Sequence, residues 1–149
     1  MHHTLRPAKK EDCPVMLDLV KELALYEKAP EEVTISFDHF EASGFGPTPV
    51  WEAWVVEIEG NVVGFALCYI RFSTWKGQRL YLEDLIVTES LRGNGLGKIL
   101  MDKLIEVCKE RNYSGLVWQV LDWNQPAIDF YKRYDTVFEN EWVNCSIAF

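Results

Sequence analysis

The sequence predicts an α/β fold, a mixed central sheet flanked by helices in a single domain spanning residues 1–149. Three observations carry that reading. Residues 80–87 are dense in apolar side chains and interrupted only by Glu83 and Asp84, as in a strand buried on both faces except where a polar group is needed. A turn with Gly93, Gly95 and Gly97 on alternate positions follows at once. After it, Leu96, Leu100, Leu104 and Cys108 recur every fourth residue, with Ile99, Met101, Ile105 and Val107 widening the stripe into a broad apolar helical face.

The other elements follow in order. Residues 3–6 form a short strand ended by Pro7. Asp12 caps a helix with Pro14 at its second position, and its apolar rows are Val15, Leu19, Leu23 and Met16, Val20, Ala24. Ala29-Pro30 closes that helix. Residues 36–43 form a second short helix with Phe37 and Phe40 turned inward, broken by Gly44-Phe45-Gly46-Pro47. Strands over 51–58 and 62–71 are joined by the turn Glu59-Gly60-Asn61, and Thr74-Trp75-Lys76-Gly77 turns into the central strand. Beyond the long helix, a strand covers 115–121. Asn124 then caps a helix with Pro126 in its first turn, reaching Tyr131 to Tyr134. Residues 137–138 and 142–147 form a final hairpin of strands.

Composition narrows the class. A net charge of −8 with no basic patch argues against a nucleic-acid partner and favours a cationic small molecule. No apolar run reaches membrane-spanning length and no signal peptide opens the chain, so no membrane partner is expected. Cys13, Cys68, Cys108 and Cys145 lie far apart without a Cys-x-x-Cys pair, which fits a reduced, cytoplasmic protein with no metal.

The glycine turn is the first chemical signal. A helix entered through glycines exposes its first N–H groups and the positive end of its dipole, a site for polyphosphate. The dinucleotide fingerprint fails, because Lys98 stands where its third glycine belongs. A P-loop fails too: Lys98 is followed by Ile99, and Arg92 stands where the earlier glycine is required. Arg-Gly-Asn-Gly-Leu-Gly instead resembles the pyrophosphate loop of the GNAT superfamily of acetyl-CoA-dependent N-acetyltransferases.

Further strings extend the likeness over most of the chain. Lys21-Glu22-Leu23-Ala24, Gly44-Phe45-Gly46, Ser73-Thr74-Trp75-Lys76-Gly77, Tyr81-Leu82-Glu83-Asp84, Leu121-Asp122-Trp123-Asn124-Gln125 and Phe130-Tyr131-Lys132 occur in that order. Together they resemble the diamine acetyltransferases, the spermidine/spermine N-acetyltransferase group, and are nearest its thialysine N-acetyltransferase branch. Ser73 stands where the polyamine branch tends to carry Asp, which removes an anchor for a second, distant ammonium.

The resemblance implies the GNAT acyl-CoA N-acyltransferase fold, acetyl-CoA as co-substrate, a small amine as acceptor and a homodimer. It implies that the backbone of Leu85, Ile86 and Val87 pairs with the pantetheine arm. Arg92, Gly93, Asn94, Gly95, Leu96, Gly97 and Lys98 would cradle the pyrophosphate, and Asn124, Gln125, Pro126 and Ala127 would hold more of the cofactor. Tyr26, Glu27, Glu83, Val117, Trp118 and Gln119 would line the amine pocket. Tyr131 would stand near the thioester sulfur.

The chemistry these residue types offer is consistent with that. An alkyl ammonium, with a pKa of about 10.4, must lose a proton before it attacks a thioester. Glu83 can attract it and accept that proton, directly or through water, and the Tyr131 phenol can protonate the leaving thiolate. A backbone N–H of the same strand can stabilise the oxyanion. Structural readings stand beside these: Glu83 or Asp84 as an ordinary salt-bridged strand residue, Tyr131 as core. Two other functions stay open, acetylation of a protein amine and a CoA-binding regulatory module without turnover. The family glycine after Phe-Tyr-Lys is absent, so Asp135 is expected to end that helix.

Overall fold

The computed structural model describes residues 2–149, in two compact units, Met1–Trp118 and Gln119–Phe149. The first unit is built on five strands in sequential order: β1 (His3–Pro7), β2 (Glu52–Ile58), β3 (Asn61–Ser73), β4 (Gly77–Val87) and β5 (Leu116–Val117). The first four are antiparallel to their neighbours, and β5 joins β4 in parallel. The sheet is therefore mixed, as the sequence predicts. The helices of this unit are α1 (Cys13–Tyr26), α2 (Phe37–Phe45) and α3 (Leu96–Glu110).

Alternation along the strands sorts the core into two layers. Ala53, Val55, Phe65, Leu67 and Ile86 meet Cys13, Met16, Leu17 and Leu19 of α1 and Phe40 of α2. The opposite parity, Trp54, Val56, Ala66, Cys68, Leu80 and Leu82, is also buried. On that side α3 runs against β2, β3, β4 and β5, burying Leu96, Leu100, Met101, Leu104, Val107 and Cys108. Each such aliphatic side chain contributes roughly 1.5–3 kcal/mol on leaving water.

Several expectations need correction. Val15 is exposed, whereas Cys13 and Leu17 are buried, so the apolar face of α1 is rotated from the one the spacing suggested. Asp12 does precede α1, but its side chain makes no cap hydrogen bond to that helix. Its carboxylate instead accepts two hydrogen bonds from Arg6 of β1, at 2.7 and 2.9 Å, and one from the Lys9 amide. That guanidinium, which also reaches Glu57 at 3.0 Å, holds the Asp12 carboxyl below its ordinary pKa. Phe37 lies at the edge of α2 with 36% of its surface exposed, and only Phe40 turns inward. The Ser36 hydroxyl caps α2 by accepting from the His39 amide, and the helix runs on to Phe45. The β2–β3 hairpin is a two-residue turn, with positive φ at both Glu59 and Gly60, as the primed hairpin turns require.

Strand β5 is only two residues long, not seven. It pairs with Leu80 and Tyr81 and stops. The cause lies in β4: Cys68 faces Leu82 and Leu67 faces Asp84, leaving Glu83 as an extra residue with no partner across the ladder. Such a bulge bends and twists the strand that carries it, which ends regular pairing on the far edge.

The second unit contains one helix, α4 (Gln125–Tyr131), with Asn124 as its cap, the side-chain oxygen accepting from the Ala127 amide at 3.3 Å. The helix ends at Tyr131 and not at Asp135, and the Thr136 hydroxyl closes it by donating to the Tyr131 carbonyl at 2.6 Å. The final hairpin does not form: residues 137–138 and 142–147 have no strand pairing, and Val137, Trp142, Val143 and Ile147 are exposed. Strand propensity without a pairing edge gives no ladder.

Candidate functional site

Two features of the first unit are built for ligands, and both grow from the C-terminal half of β4. The first is a cavity of about 310 Å³ on the α1/α2 side of the sheet. Leu17 and Val20 of α1, Phe40 and Ser43 of α2, Ile35, Val50, Trp51, and Leu67 and Tyr69 of β3 form its walls, with Glu83 and Asp84 among them. Consecutive strand residues ordinarily point to opposite faces. The bulge at Glu83 cancels that alternation, so both carboxylates border one cavity.

The two carboxylates are not equivalent. Glu83 is exposed and accepts a hydrogen bond from the Tyr69 hydroxyl at 2.8 Å. The Tyr69 ring lies 5.3 Å from that of Tyr81, and the Arg71 guanidinium sits over Tyr81. Asp84 is half-buried, and its carboxyl is pushed up to about 7, first by burial and then by the charges of Glu83 and Glu27. Burial also raises the Glu27 carboxyl. Every ionisable side chain bordering the cavity is a carboxylate or a phenol, so the site suits a cation.

The second feature is the turn after β4. Glu89–Leu91 forms a short 3₁₀ turn, tied to α1 because Glu22 accepts from the Thr88 hydroxyl and the Glu89 amide. Gly93 and Gly95 have φ of +83° and +80°, and a Cβ at either would meet nothing within 4 Å. Their role is conformational, while the space above the turn stays open to a ligand. Gly95 immediately precedes α3, whose first-turn N–H groups have no acceptor within the helix. A pyrophosphate fits these groups. The Arg92 guanidinium lies 5.0 Å from the centre of the Tyr26 ring, and its Nε donates to the Val87 carbonyl. Asn94 donates to the Leu91 carbonyl, and Lys98 forms an ion pair with Asp102.

Between these features, β4 offers an open edge. Leu85, Ile86 and Val87 pair with Ala66, Phe65 and Gly64 of β3 on one side. On the other, β5 ends beside Tyr81, and among the described residues no strand continues the sheet. Polar backbone left unpaired on a strand edge is ready to accept an extended ligand.

The remaining predicted site residues fall in several places. Tyr26 and Glu27 sit at the C-terminal end of α1, where Tyr26 meets Arg92 and Glu27 acts on Asp84 by charge. Val117 lies in β5 opposite Tyr81, and Trp118 ends the first unit. Neither borders the cavity. Gln119, in the second unit, donates to Asn144 at 2.9 Å. There too, Asn124 is buried as the α4 cap, Gln125 donates to Asp129, and Pro126 and Ala127 form the first turn. Tyr131 is buried, its ring edge-on to Phe130. Ser73 uses its hydroxyl to accept from the Trp75 and Lys76 amides, which shapes the β3–β4 turn.

Sequence reasoning missed the cavity-lining roles of Tyr69, Asp84, Phe40 of α2 and Trp51 before β2. Asp84 was visible as a carboxylate within an apolar strand. Its direction was not, because a bulge leaves no mark on period-two alternation.

Known proteins can be set against this geometry. The profile of the Acetyltransferase (GNAT) family matches residues 12–135. A thialysine N-epsilon-acetyltransferase of Bos taurus is 43% identical over 136 residues, covering 86% of this chain and 80% of the relative. That of Sus scrofa is 40% identical over the same shares. Among solved structures, an aminoglycoside acetyltransferase from an uncultured soil metagenomic sample, in complex with trehalose, superposes with a TM-score of 0.79. It covers 99% of this chain and 96% of that one at 17% identity, a likeness of fold. GNAT enzymes use acetyl-CoA as co-substrate, and the glycine turn and open β4 edge suit its two polar stretches. With a family profile spanning the strand, turn and helix that build both features, the chain belongs to the GNAT family of acetyltransferases.

Proposed function

We propose that this acetyltransferase moves the acetyl group of acetyl-CoA to the primary amine of a small cationic molecule, by direct transfer in a ternary complex. One observation carries the substrate class: two consecutive carboxylates border a single aromatic-walled cavity of about 310 Å³. That volume is at the small end for ligand pockets and suits an alkyl amine better than a polypeptide segment. Thialysine, lysine-like amino acids and short diamines head the substrates. The relatives named for thialysine support this, as does Ser73, whose hydroxyl is engaged in its own turn and offers no charge to a distant second ammonium. Long polyamines rank lower.

In this reading, residues 92–98 hold the pyrophosphate, the backbone of Leu85, Ile86 and Val87 pairs with the pantetheine arm, and Asn124, Gln125, Pro126 and Ala127 hold more of the cofactor. Glu83 draws the ammonium in and stands at the start of the proton's route, with Tyr26, Glu27, Val117, Trp118 and Gln119 completing the amine side. Tyr131 supplies the proton that the departing thiolate takes up. In this reading residues 1–149 act as one catalytic domain, which the span of the family match across both units supports, and the protein works as a cytoplasmic homodimer.

The test is thiol release from acetyl-CoA with thialysine, lysine, putrescine, spermidine and a lysine peptide as acceptors. Turnover with the first three, and weak turnover with spermidine, is expected. Turnover with the peptide alone would replace the small-molecule reading, and CoA binding without any turnover would leave a regulatory module.

A further inference from the structure

The bulge in β4 presents two carboxylates where a regular strand would present one, and the pair divides into unlike partners. Glu83 is exposed, and the Tyr69 hydroxyl donates to it at 2.8 Å, which fixes the carboxylate against β3. Asp84 borders the same cavity beside the apolar side chains of Leu17, Phe40 and Leu67. Burial and the neighbouring charges push its carboxyl up. The charged groups facing it are Glu83 on its own strand and Glu27 at the end of α1; β3 contributes the Tyr69 phenol, and α2 contributes no charge. The two carboxylates oppose a further negative charge at Asp84.

We propose that Asp84 is the group that finally accepts the proton of the incoming ammonium, while Glu83 serves as the fixed anion that attracts it. This rests on the amine acetyltransferase reading above and moves the accepting role from Glu83 to its neighbour. The step balances simply. One N–H bond of the ammonium breaks, and its proton goes to an Asp84 carboxylate oxygen, leaving the nitrogen lone pair. That pair forms the N–C bond to the thioester carbonyl carbon. The C–S bond then breaks, the second amine proton is lost to water, and the departing thiolate takes up a proton drawn ultimately from solvent. Asp84 returns its proton to water before the next cycle.

A carboxyl that titrates at about 7 suits this task better than one in the ordinary range. Near neutral pH it still exists as a base, yet it holds a proton far more firmly than an exposed carboxylate does. Glu83, exposed and held by the Tyr69 hydroxyl, suits attraction. The arrangement places opposite demands on two adjacent residues and meets them by opposite surroundings.

The test is the pH dependence of kcat/KM with an amine that the wild type acetylates, together with a carbon-13 NMR titration of the aspartate carboxyls in the free protein. Wild-type kcat/KM should rise with pH and level off near 7. Glu83→Gln should keep that rise but move it to lower pH, because one negative neighbour is gone. Asp84→Asn should abolish it and lower kcat/KM about 100-fold, with acetyl-CoA affinity unchanged. Asp84→Glu, which keeps a carboxyl, should retain the rise and guards against a variant that fails to fold. An intact rise in Asp84→Asn, its loss in Glu83→Gln alone, or an Asp84 carboxyl titrating near the usual carboxylate range would each overturn the proposal. No turnover of any amine by the wild type would instead strike down the amine reading beneath it, a result separable because the carboxyl titration does not depend on activity.

Discussion

The two halves of β4 make opposite use of one strand. From Gly77 to Leu82, each residue faces a partner on β3, Leu80 and Tyr81 are also paired to β5, and Leu80 and Leu82 are buried toward α3. From Glu83 to Val87 the strand carries an unpaired residue, loses its second neighbour and leads directly into the 3₁₀ turn and the glycines. The first half satisfies its backbone and its apolar side chains within the protein. The second leaves a backbone edge, two carboxylates and a helix N-terminus for ligands to complete. A single inserted residue separates a segment paired within the protein from one that borders the cavity and leads into the glycine turn.

Removing that residue is the strongest way to break the contrast. With Glu83 deleted, Leu82 and Asp84 become adjacent and keep the faces they already occupy, so β4 can pair with β3 in unbroken register. The deleted protein should keep a single cooperative melting transition while acetyl transfer falls by about 1000-fold or more, as expected when acid–base and positioning contributions vanish together. Melting followed by circular dichroism, beside the thiol-release assay, checks both halves. Loss of cooperativity would show that the bulge is structural.

Leu82→Ala probes the other half. Leu82 is 2% exposed, so truncation should cost about 2–5 kcal/mol in denaturant unfolding. The rate per folded molecule should not change. A large fall in kcat at full folding would erase the distinction between the halves.

A third prediction concerns stability and pH. Asp84 holds its proton to about 7 when folded but releases it at an ordinary carboxylate pKa when unfolded. Its contribution to stability is therefore present at low pH and is lost as pH rises from about 4 to about 7. Asp84→Asn, which cannot ionise, should gain on the wild type across that window and level off above it. The gain should be on the order of 2–4 kcal/mol by pH 8, measured by urea unfolding at pH 5 and pH 8. An advantage that shrinks with pH would contradict the placement of Asp84 against apolar walls.

The smallest expected effect is that of Tyr69→Phe. It removes the donor to Glu83 and should weaken amine kcat/KM by about tenfold or less, with no change in acetyl-CoA affinity by calorimetry. No change with any amine would mean that Glu83 needs no support from β3.

What could be read from the sequence follows the range of the signal. The four-residue spacing behind Leu96 and the alternating glycines are local patterns, and they located α3 and its turn. The hairpin at Glu59-Gly60 is equally local. The face of α1 was misplaced because Cys13 and Leu17 extend the apolar surface around the helix while Val15 falls off it. The strands expected near Val137 and Trp142 have suitable residues, but a strand also needs an edge, and sequence does not display edges. The cavity was hardest to see. Glu83 and Asp84 read as one residue inward and one outward, and only the ladder to Leu67 and Cys68 shows that they share a side.

One helix serves both ligand-facing features. Glu22 anchors the segment entering the glycine turn, and Glu27, five positions along α1, adds to the field at Asp84. Five helical residues span about 7.5 Å of a stiff rod. A tilt of that rod moves both ends together, as a lever does. On the proposed reading, this would join the seating of the nucleotide end of acetyl-CoA to the proton affinity of the amine pocket, and a substitution that loosens Glu22 would carry its effect to a pocket it never touches.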